Sequence, residues 1–202
     1  MRRWGWTLCQ WLIRVGGTAL WQARAFGVEN VPREGGALLA ANHQSYLDPP
    51  LIAAFLPREM HFMARRSLFR NPLFRAAIVS CNAFPIERNT ADVKGVKLAI
   101  GRLEAGNLLL VFPEGTRTRD GSIGRMKPGI GLLAERAAVP IVPVLIEGAY
   151  EVWPKDAKLP GMGRIRVVFG KPIRSGIDAR GGIRDAIVGL KGEIKGCQIA
   201  SS

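Results

Sequence analysis

Histidine and cysteine are scarce in this chain. There are two histidines, His43 and His61, and three cysteines, Cys9, Cys81 and Cys197, in 202 residues. An odd count at wide spacing, with no C-x-x-C pair, excludes a disulfide framework and suits a reducing compartment. The same scarcity leaves no support for a zinc centre, and no metal site is expected. Acidic residues are also few, 16 against 29 lysines and arginines, for a net charge of +13. That surplus points to anionic partners, whether nucleic acid, an anionic membrane surface or acidic substrates. Long apolar runs are missing at the N-terminus: Trp4 to Ile13 is charge-free but far short of the roughly 20 residues needed to cross a bilayer. Internal repeats and low-complexity stretches are absent. What remains is 48% hydrophobic and 22% charged, which excludes both a disordered chain and a polytopic membrane protein. The length suits one domain with a sizeable core.

The first residues, RRWGWTLCQWLIR, have the outline of a signal peptide. Arg14 and Arg24 interrupt the apolar region, and no small-residue cleavage site follows. Read as a helix, Trp4, Leu8, Trp11, Leu12, Val15 and Ala19 share one face. Three tryptophans, Trp4, Trp6 and Trp11, flanked by arginines suit a helix lying in the headgroup layer of a membrane. A first helix packed on the domain's own core is the other reading.

Beyond this segment, short continuous apolar runs alternate with helical patterns. The runs Ala37–Ala41, Met60–Ala64, Leu108–Phe112, Ile141–Leu145 and Ile165–Phe169 suit strands buried on both faces. Helices are predicted over Pro49–Leu56, Asn71–Ser80 and Asp92–Glu104, the last with Val93, Val96, Ile100 and Leu103 at helical spacing. A final helix is marked by Ile183, Ile187, Leu190 and Ile194, after a glycine-rich loop near Gly176–Gly182. The alternation argues for a single α/β domain with a mostly parallel central sheet flanked by helices.

In such sheets sites form at the carboxyl ends of strands. Two polar motifs lie there: NHQSYLD (Asn42–Asp48) after the first run, and FPEGTRTRD (Phe112–Asp120) at the end of the third. An imidazole can take a proton from a hydroxyl, and a carboxylate on its other nitrogen fixes the tautomer and stabilises the cation formed. His43 and Asp48 are candidates for that base-and-orienter pair. Ser45 has no G-x-S-x-G elbow around it, so the hydroxyl to be activated could be the substrate's. Alternatively, Asp48 before Pro49 and Pro50 is a helix N-cap and His43 a core residue. In the second motif, Gly115 permits close backbone approach, and Arg117 and Arg119 offer planar forks for phosphate oxygens. A solvated turn with paired charges is the plainer reading. Arg88, in FPIER, and Lys127, in MKPG, are further isolated cations.

Taken together and in order, NHQSYLD, FPIER, FPEGTRTR and VPIVPV (Val139–Val144) resemble the four blocks of the glycerophospholipid acyltransferase family. The branch they look most like is that of the bacterial 1-acyl-glycerol-3-phosphate acyltransferases. The resemblance runs from Ala37 to Tyr150. It implies an α/β domain whose His and Asp sit at one end of an apolar tunnel for the acyl chain. It matches His43 to the catalytic base and Asp48 to its orienter. Glu114, Gly115 and Arg117 match the acceptor-binding block, Arg88 the arginine of the second block, and Pro140 the proline of the fourth. Lys127 lies where related enzymes carry a basic residue near the phosphate. One departure is Asn82-Ala83, where the second block often has a glycine.

The resemblance implies acyl transfer from acyl-CoA or an acyl-carrier protein to the 2-hydroxyl of 1-acyl-glycerol-3-phosphate, forming phosphatidate, with no cofactor beyond the acyl donor. Glu114 is expected to hold the Arg117 guanidinium rather than touch the anionic lipid. The expected division is residues 1–30 as an amphipathic, membrane-associating helical segment and 31–202 as the acyltransferase domain. The expected location is the cytoplasmic face of the inner membrane, against anionic lipid. Two alternatives stand beside this: acylation of another lyso-lipid such as a lyso-aminolipid, and a nonenzymatic basic protein binding membrane or nucleic acid. Against nucleic acid, the basic residues are scattered, with no RNA-binding signature or DNA-binding helix pair.

Overall fold

A computed structural model of the chain describes residues 4–87, 92–127, 129–174 and 182–192. A helix, α1 (Trp4–Trp21), leads into a short strand, β1 (Arg24–Phe26). Strand β2 (Ala37–Ala41) follows, then α2 (Asp48–Phe55), β3 (Met60–Arg65), a 3-10 turn (Arg66–Phe69), α3 (Pro72–Ser80) and β4 (Ala83–Ile86). Next come α4 (Val93–Glu104), β5 (Leu108–Val111), α5 (Gly129–Arg136), β6 (Ile141–Glu147), the short α6 (Ala149–Val152) and β7 (Arg166–Phe169). A last helix, α7, spans 182–192; the expected Ile194 lies outside the described residues.

The strands form one sheet in the order β1-β7-β6-β2-β5-β3-β4. From β6 to β4 every pairing is parallel. Strand β7 is antiparallel to β6, and β1 runs parallel to β7, so a reversed pair closes one edge. The five expected strands are β2, β3, β5, β6 and β7. The other two sit at the edges. β1 has three residues, including an arginine, and β4 contains Pro85, whose missing N–H is most easily tolerated at an edge, although the interior strand β6 also holds a proline, Pro143.

Alternation along β2 divides the core. Leu39 and Ala41 face α1 and α2, packing with Trp6, Leu51 and Ile52. Leu38 and Ala40 face α4, α5 and α7, packing with Ala99, Leu103, Leu133 and Ile187. Burying a Leu or Ile side chain such as Leu51 or Ile52 contributes about 1.5–3 kcal/mol. In α4 the buried positions are Gly95, Ala99 and Leu103, while Val93 and Val96 are exposed. Asp92 caps that helix by accepting from Gly95 N–H at 2.8 Å.

The N-terminal helix has two faces. Trp6, Gln10 and Gly17 are buried. Gly17 lets the helix come close to α2: a Cβ there would lie 2.9 Å from Leu51 Cδ2. Gln10 donates to the carbonyls of Ala53 and Leu56 at 2.6 and 3.2 Å, giving the Leu56 carbonyl past the end of α2 a donor and adding a second one to Ala53, which also accepts from Leu56 N–H. The predicted apolar face points away from the domain, with Trp4 93% and Trp11 60% exposed. The helix therefore packs on the core by one face and presents tryptophans to solvent by the other. It ends at Trp21, and Arg24–Phe26, within the 1–30 segment, belongs to the sheet.

Candidate active site

The site begins where β2 runs out. Asn42 extends its pairing with β6: its amide donates to Ile146 C=O at 2.9 Å and accepts from Ile146 N–H at 2.7 Å. The next residue, His43, leaves the sheet at its carboxyl edge. The chain then turns into α2, and Asp48 folds back into that turn. Its Oδ2 accepts from the N–H groups of Gln44 at 2.6 Å and Ser45 at 2.8 Å, and lies 2.8 Å from His43 Nδ1. Its Oδ1 is buried without a hydrogen-bond partner. The helix N-cap reading of Asp48 is corrected here: Asp48 is the first helical residue, Leu47 stands at the cap, and the carboxylate bonds the preceding turn. The prolines Pro49 and Pro50 start α2 where no N–H is needed.

The loop after β5 encloses His43. Phe112 stacks on the imidazole with ring centroids 3.8 Å apart and planes at 16°. Glu114 Oε1 accepts from His43 N–H at 2.9 Å and Oε2 from Gly124 N–H at 3.0 Å. Thr118 N–H donates to His43 C=O at 2.9 Å. Burial pushes the Glu114 carboxyl above its ordinary pKa, against the pull of those two N–H groups. The expected Glu114–Arg117 clamp is not formed, because both carboxylate oxygens are turned to backbone amides instead.

Arg117 lies over the Tyr46 ring, 3.5 Å from guanidinium carbon to centroid. Its Nη1 is buried and has no hydrogen-bond partner. Tyr46 in turn meets Trp153 at 5.7 Å. Gly115 adopts φ +71°, and a Cβ there would sit 2.8 Å from Lys127 Nζ. Lys127 is tied back by its N–H to Pro113 C=O at 3.0 Å. Two cations, Arg117 and Lys127, thus flank the glycine of the second motif. Arg119 serves the loop through its carbonyl, which accepts from Tyr150 Oη at 2.7 Å. Asp120 is pulled down to about 2 by accepting from Ser122 and Thr118, which marks it as a turn residue.

Ser45 donates its hydroxyl to Trp153 C=O at 2.9 Å, so it is engaged in holding the turn. Arg88 lies outside the described residues. Asn82 adopts φ +63°, the left-handed conformation that a glycine would take there and that asparagine tolerates; its Nδ2 donates to Glu59 at 3.1 Å. Among the described residues no group of three His, Cys, Asp or Glu is placed to hold a metal ion.

The geometry is that of a histidine whose Nδ1 is held by a carboxylate, in a loop-enclosed site with a guanidinium that has one buried, unpartnered nitrogen. A family model described as Acyltransferase matches residues 23–147, more than half of the chain. The chain belongs to the Acyltransferase family. Among curated relatives, 1-acyl-sn-glycerol-3-phosphate acyltransferase of Bacillus subtilis is 28% identical over 74% of this chain and 73% of its own length. The Pseudomonas aeruginosa protein of the same name is 30% identical over 79% and 62%. The Arabidopsis thaliana chloroplastic LPAT1 is 30% identical over 73% of this chain, which spans only 42% of that protein. Among solved structures, the 1-acyl-sn-glycerophosphate (LPA) acyltransferase PlsC of Thermotoga maritima superposes with a TM-score of 0.83 at 27% identity, covering 94% of this chain and 79% of that one.

Sequence reasoning on this acyltransferase missed the residues that hold the site rather than name it. Phe112, expected as the last strand residue, lies past the end of β5 and stacks on His43. Tyr46 and Trp153 form the aromatic support under Arg117. Tyr46 was visible inside NHQSYLD, but nothing local to it signals a cation on its face. Gln44 links the turn to the rest by donating to Gly121 C=O at 3.2 Å and accepting from Tyr150 N–H at 3.3 Å.

Proposed function

We propose that the protein transfers an acyl chain from acyl-CoA or an acyl-carrier protein to the 2-hydroxyl of 1-acyl-glycerol-3-phosphate, making phosphatidate for phospholipid synthesis. The observation that carries this reading is that one loop, 112–118, both encloses the His43–Asp48 pair and presents a guanidinium with a buried, unpaired nitrogen. With Nδ1–H donated to the Asp48 carboxylate, the lone pair on Nε2 is free to accept the proton of the substrate hydroxyl. The resulting oxygen attacks the thioester carbonyl. The tetrahedral adduct collapses with cleavage of the C–S bond, and the leaving sulfur takes the proton back from the imidazolium. Asp48 and the Phe112 ring favour the charged imidazolium formed in between. The acceptor phosphate carries about two negative charges near neutral pH, by analogy with phosphate monoesters bound to proteins. Arg117 and Lys127 supply the matching charge, Arg117 as a planar fork. The names of the relatives support this acceptor. His43, Asp48, Gly115, Arg117 and Lys127 are the residues assigned to the chemistry and to acceptor binding; Arg88 is assigned to acceptor binding on its match to the family's second block alone. Glu114 is assigned to holding the site in shape.

The substrate lipids place the enzyme at a membrane surface. No helix among the described residues is long and apolar enough to cross a membrane. The outward tryptophans of α1 support peripheral association, on the cytoplasmic face, where thiols stay reduced and thioester donors are made. The deciding experiment incubates purified protein with palmitoyl-CoA or palmitoyl-acyl-carrier protein and a panel of lyso-lipids, with products identified by mass spectrometry. Phosphatidate is expected as the main product. A phosphate-free lyso-lipid proving the better acceptor overturns the assignment in favour of another lyso-lipid.

A further inference from the structure

The proposed reaction makes no use of most of the segment between β3 and β4. Arg65, the last residue of β3, and Arg70 and Arg75 within the segment are exposed, interleaved with Leu68, Leu73 and Val79, which also face solvent, Leu73 to 85%. A helix that merely faced water would be polar on that side. We propose that this segment, the 3-10 turn and α3, is a second contact with an anionic phospholipid bilayer, working beside α1; the proposal rests on the membrane-surface reading above.

Two placements support it. Phe62 of β3 and Leu39 of β2 both pair with Leu110 of β5, so Arg65 lies level with Asn42, one residue before His43. With β5 between them, the two strand ends are about 10 Å apart at the usual spacing of 4.7–4.9 Å per strand. The segment therefore leaves the sheet on the same edge as the His43 site. At its other end, Cys81, just after α3, packs against the core cluster that holds Trp6 of α1 and lies close to Cys9 of that helix, so the foot of α3 stands near the helix whose outer face carries Trp4 and Trp11. Exposed apolar side chains thus stand on both helices, with arginines among those of the second. An acidic carrier protein would also meet the arginines, but the exposed leucines among them favour lipid, as the outward tryptophans of α1 do.

Flotation of the full chain with phosphatidylcholine vesicles, with and without phosphatidylglycerol, tests this. Each basic residue near an anionic surface contributes about fivefold in partitioning. The double variant Arg70→Glu/Arg75→Glu should therefore lose at least about tenfold on phosphatidylglycerol vesicles. Leu73→Ser should weaken binding to both compositions. All three side chains are in solvent, so melting temperatures should stay at the wild-type value, as should turnover on detergent-dispersed substrate. Trp11→Ser, tested in parallel, reports on α1 alone. If wild type and Trp11→Ser differ while the α3 variants bind like wild type, the second contact is refuted and the α1 contact stands. If wild type itself does not float, both readings fall. Unchanged flotation with turnover lost only for the acyl-carrier-protein donor would assign the surface to that protein and overturn the proposal.

Discussion

Glu114→Gln separates a residue that shapes the site from one that touches the substrate. In the folded protein each carboxylate oxygen takes one backbone N–H, that of His43 at 2.9 Å and that of Gly124 at 3.0 Å. Glutamine has a single acceptor oxygen, so one of these donors must face an NH2 group. A hydrogen bond to a charged group is worth about 1.5–3 kcal/mol, and a buried donor left unpaired costs about 1–3 kcal/mol. Against this, burial already disfavours the charge on Glu114, and the neutral amide recovers part of that penalty. A net loss of about 1–3 kcal/mol in urea denaturation is expected. The pH dependence has a definite sign. A carboxyl whose folded pKa is raised above its ordinary 4.5 binds more protons folded than unfolded, so its contribution is full below 4.5 and is lost as pH rises through the folded value. The glutamine variant lacks that slope, and its deficit should be larger in acid than at neutral pH. In kinetics, loosening the His43 amide displaces the imidazole, and a misplacement of about 1 Å can cost on the order of 100-fold in rate. The loss should fall on kcat, with the KM for lysophosphatidate barely moved. A raised acceptor KM at unchanged kcat, or unchanged stability at every pH, would refute this reasoning and place Glu114 against the acceptor.

Three further predictions concern the same loop and its partner. His43→Ala should lower turnover by about a hundred- to ten-thousand-fold with vesicle binding and circular dichroism unchanged; near-wild-type turnover rules out the base. Arg117→Lys removes the planar fork and the stack on Tyr46, and should raise the KM for lysophosphatidate by the equivalent of about 1.5–3 kcal/mol, with little effect on the KM for acyl-CoA; equal effects on both substrates would count against phosphate binding. Gly115→Ala must hold φ +71° with a Cβ near Lys127 Nζ, so it should lose about 1–2 kcal/mol of stability in thermal melts and weaken acceptor binding through the displaced amine.

The central strands were legible because each is a continuous apolar run, the pattern of a strand covered on both faces. The edge strands were not: three residues with an arginine carry no such pattern, and in the four residues of β4 a proline interrupts too short a run, whereas β6 accommodates Pro143 within seven. Nor could the sequence disclose that β7 runs against β6, since chain direction in a sheet is set by tertiary packing. His43 and Asp48 were found by their spacing, and the structure places them in contact. The role of Glu114 was misjudged because its partners are backbone amides 71 and 10 positions away, groups that every residue possesses and that leave no mark in composition. For α1, the hydrophobic face was correctly located, but its direction was not deducible. Gln10, Trp6 and Gly17 anchor the opposite side, and a buried glutamine amid tryptophans reads from sequence as the polar face.

The enclosure of His43 by the 112–118 loop bears on how such enzymes can diverge. The segment that carries Arg117 also supplies the ring against the imidazole, the carboxylate on its amide and the donor to its carbonyl. With Arg117 on the acceptor phosphate and His43 as base, as proposed above, head-group preference and the alignment of the base would be inherited together. Exchanging this loop between relatives to change the acceptor would import a different seat for the histidine, so an altered specificity obtained that way arrives with a slower enzyme. Changes at Lys127, which reaches Gly115 from outside the loop, would escape this coupling and, on the proposed acceptor site, give the easier route to a new acceptor.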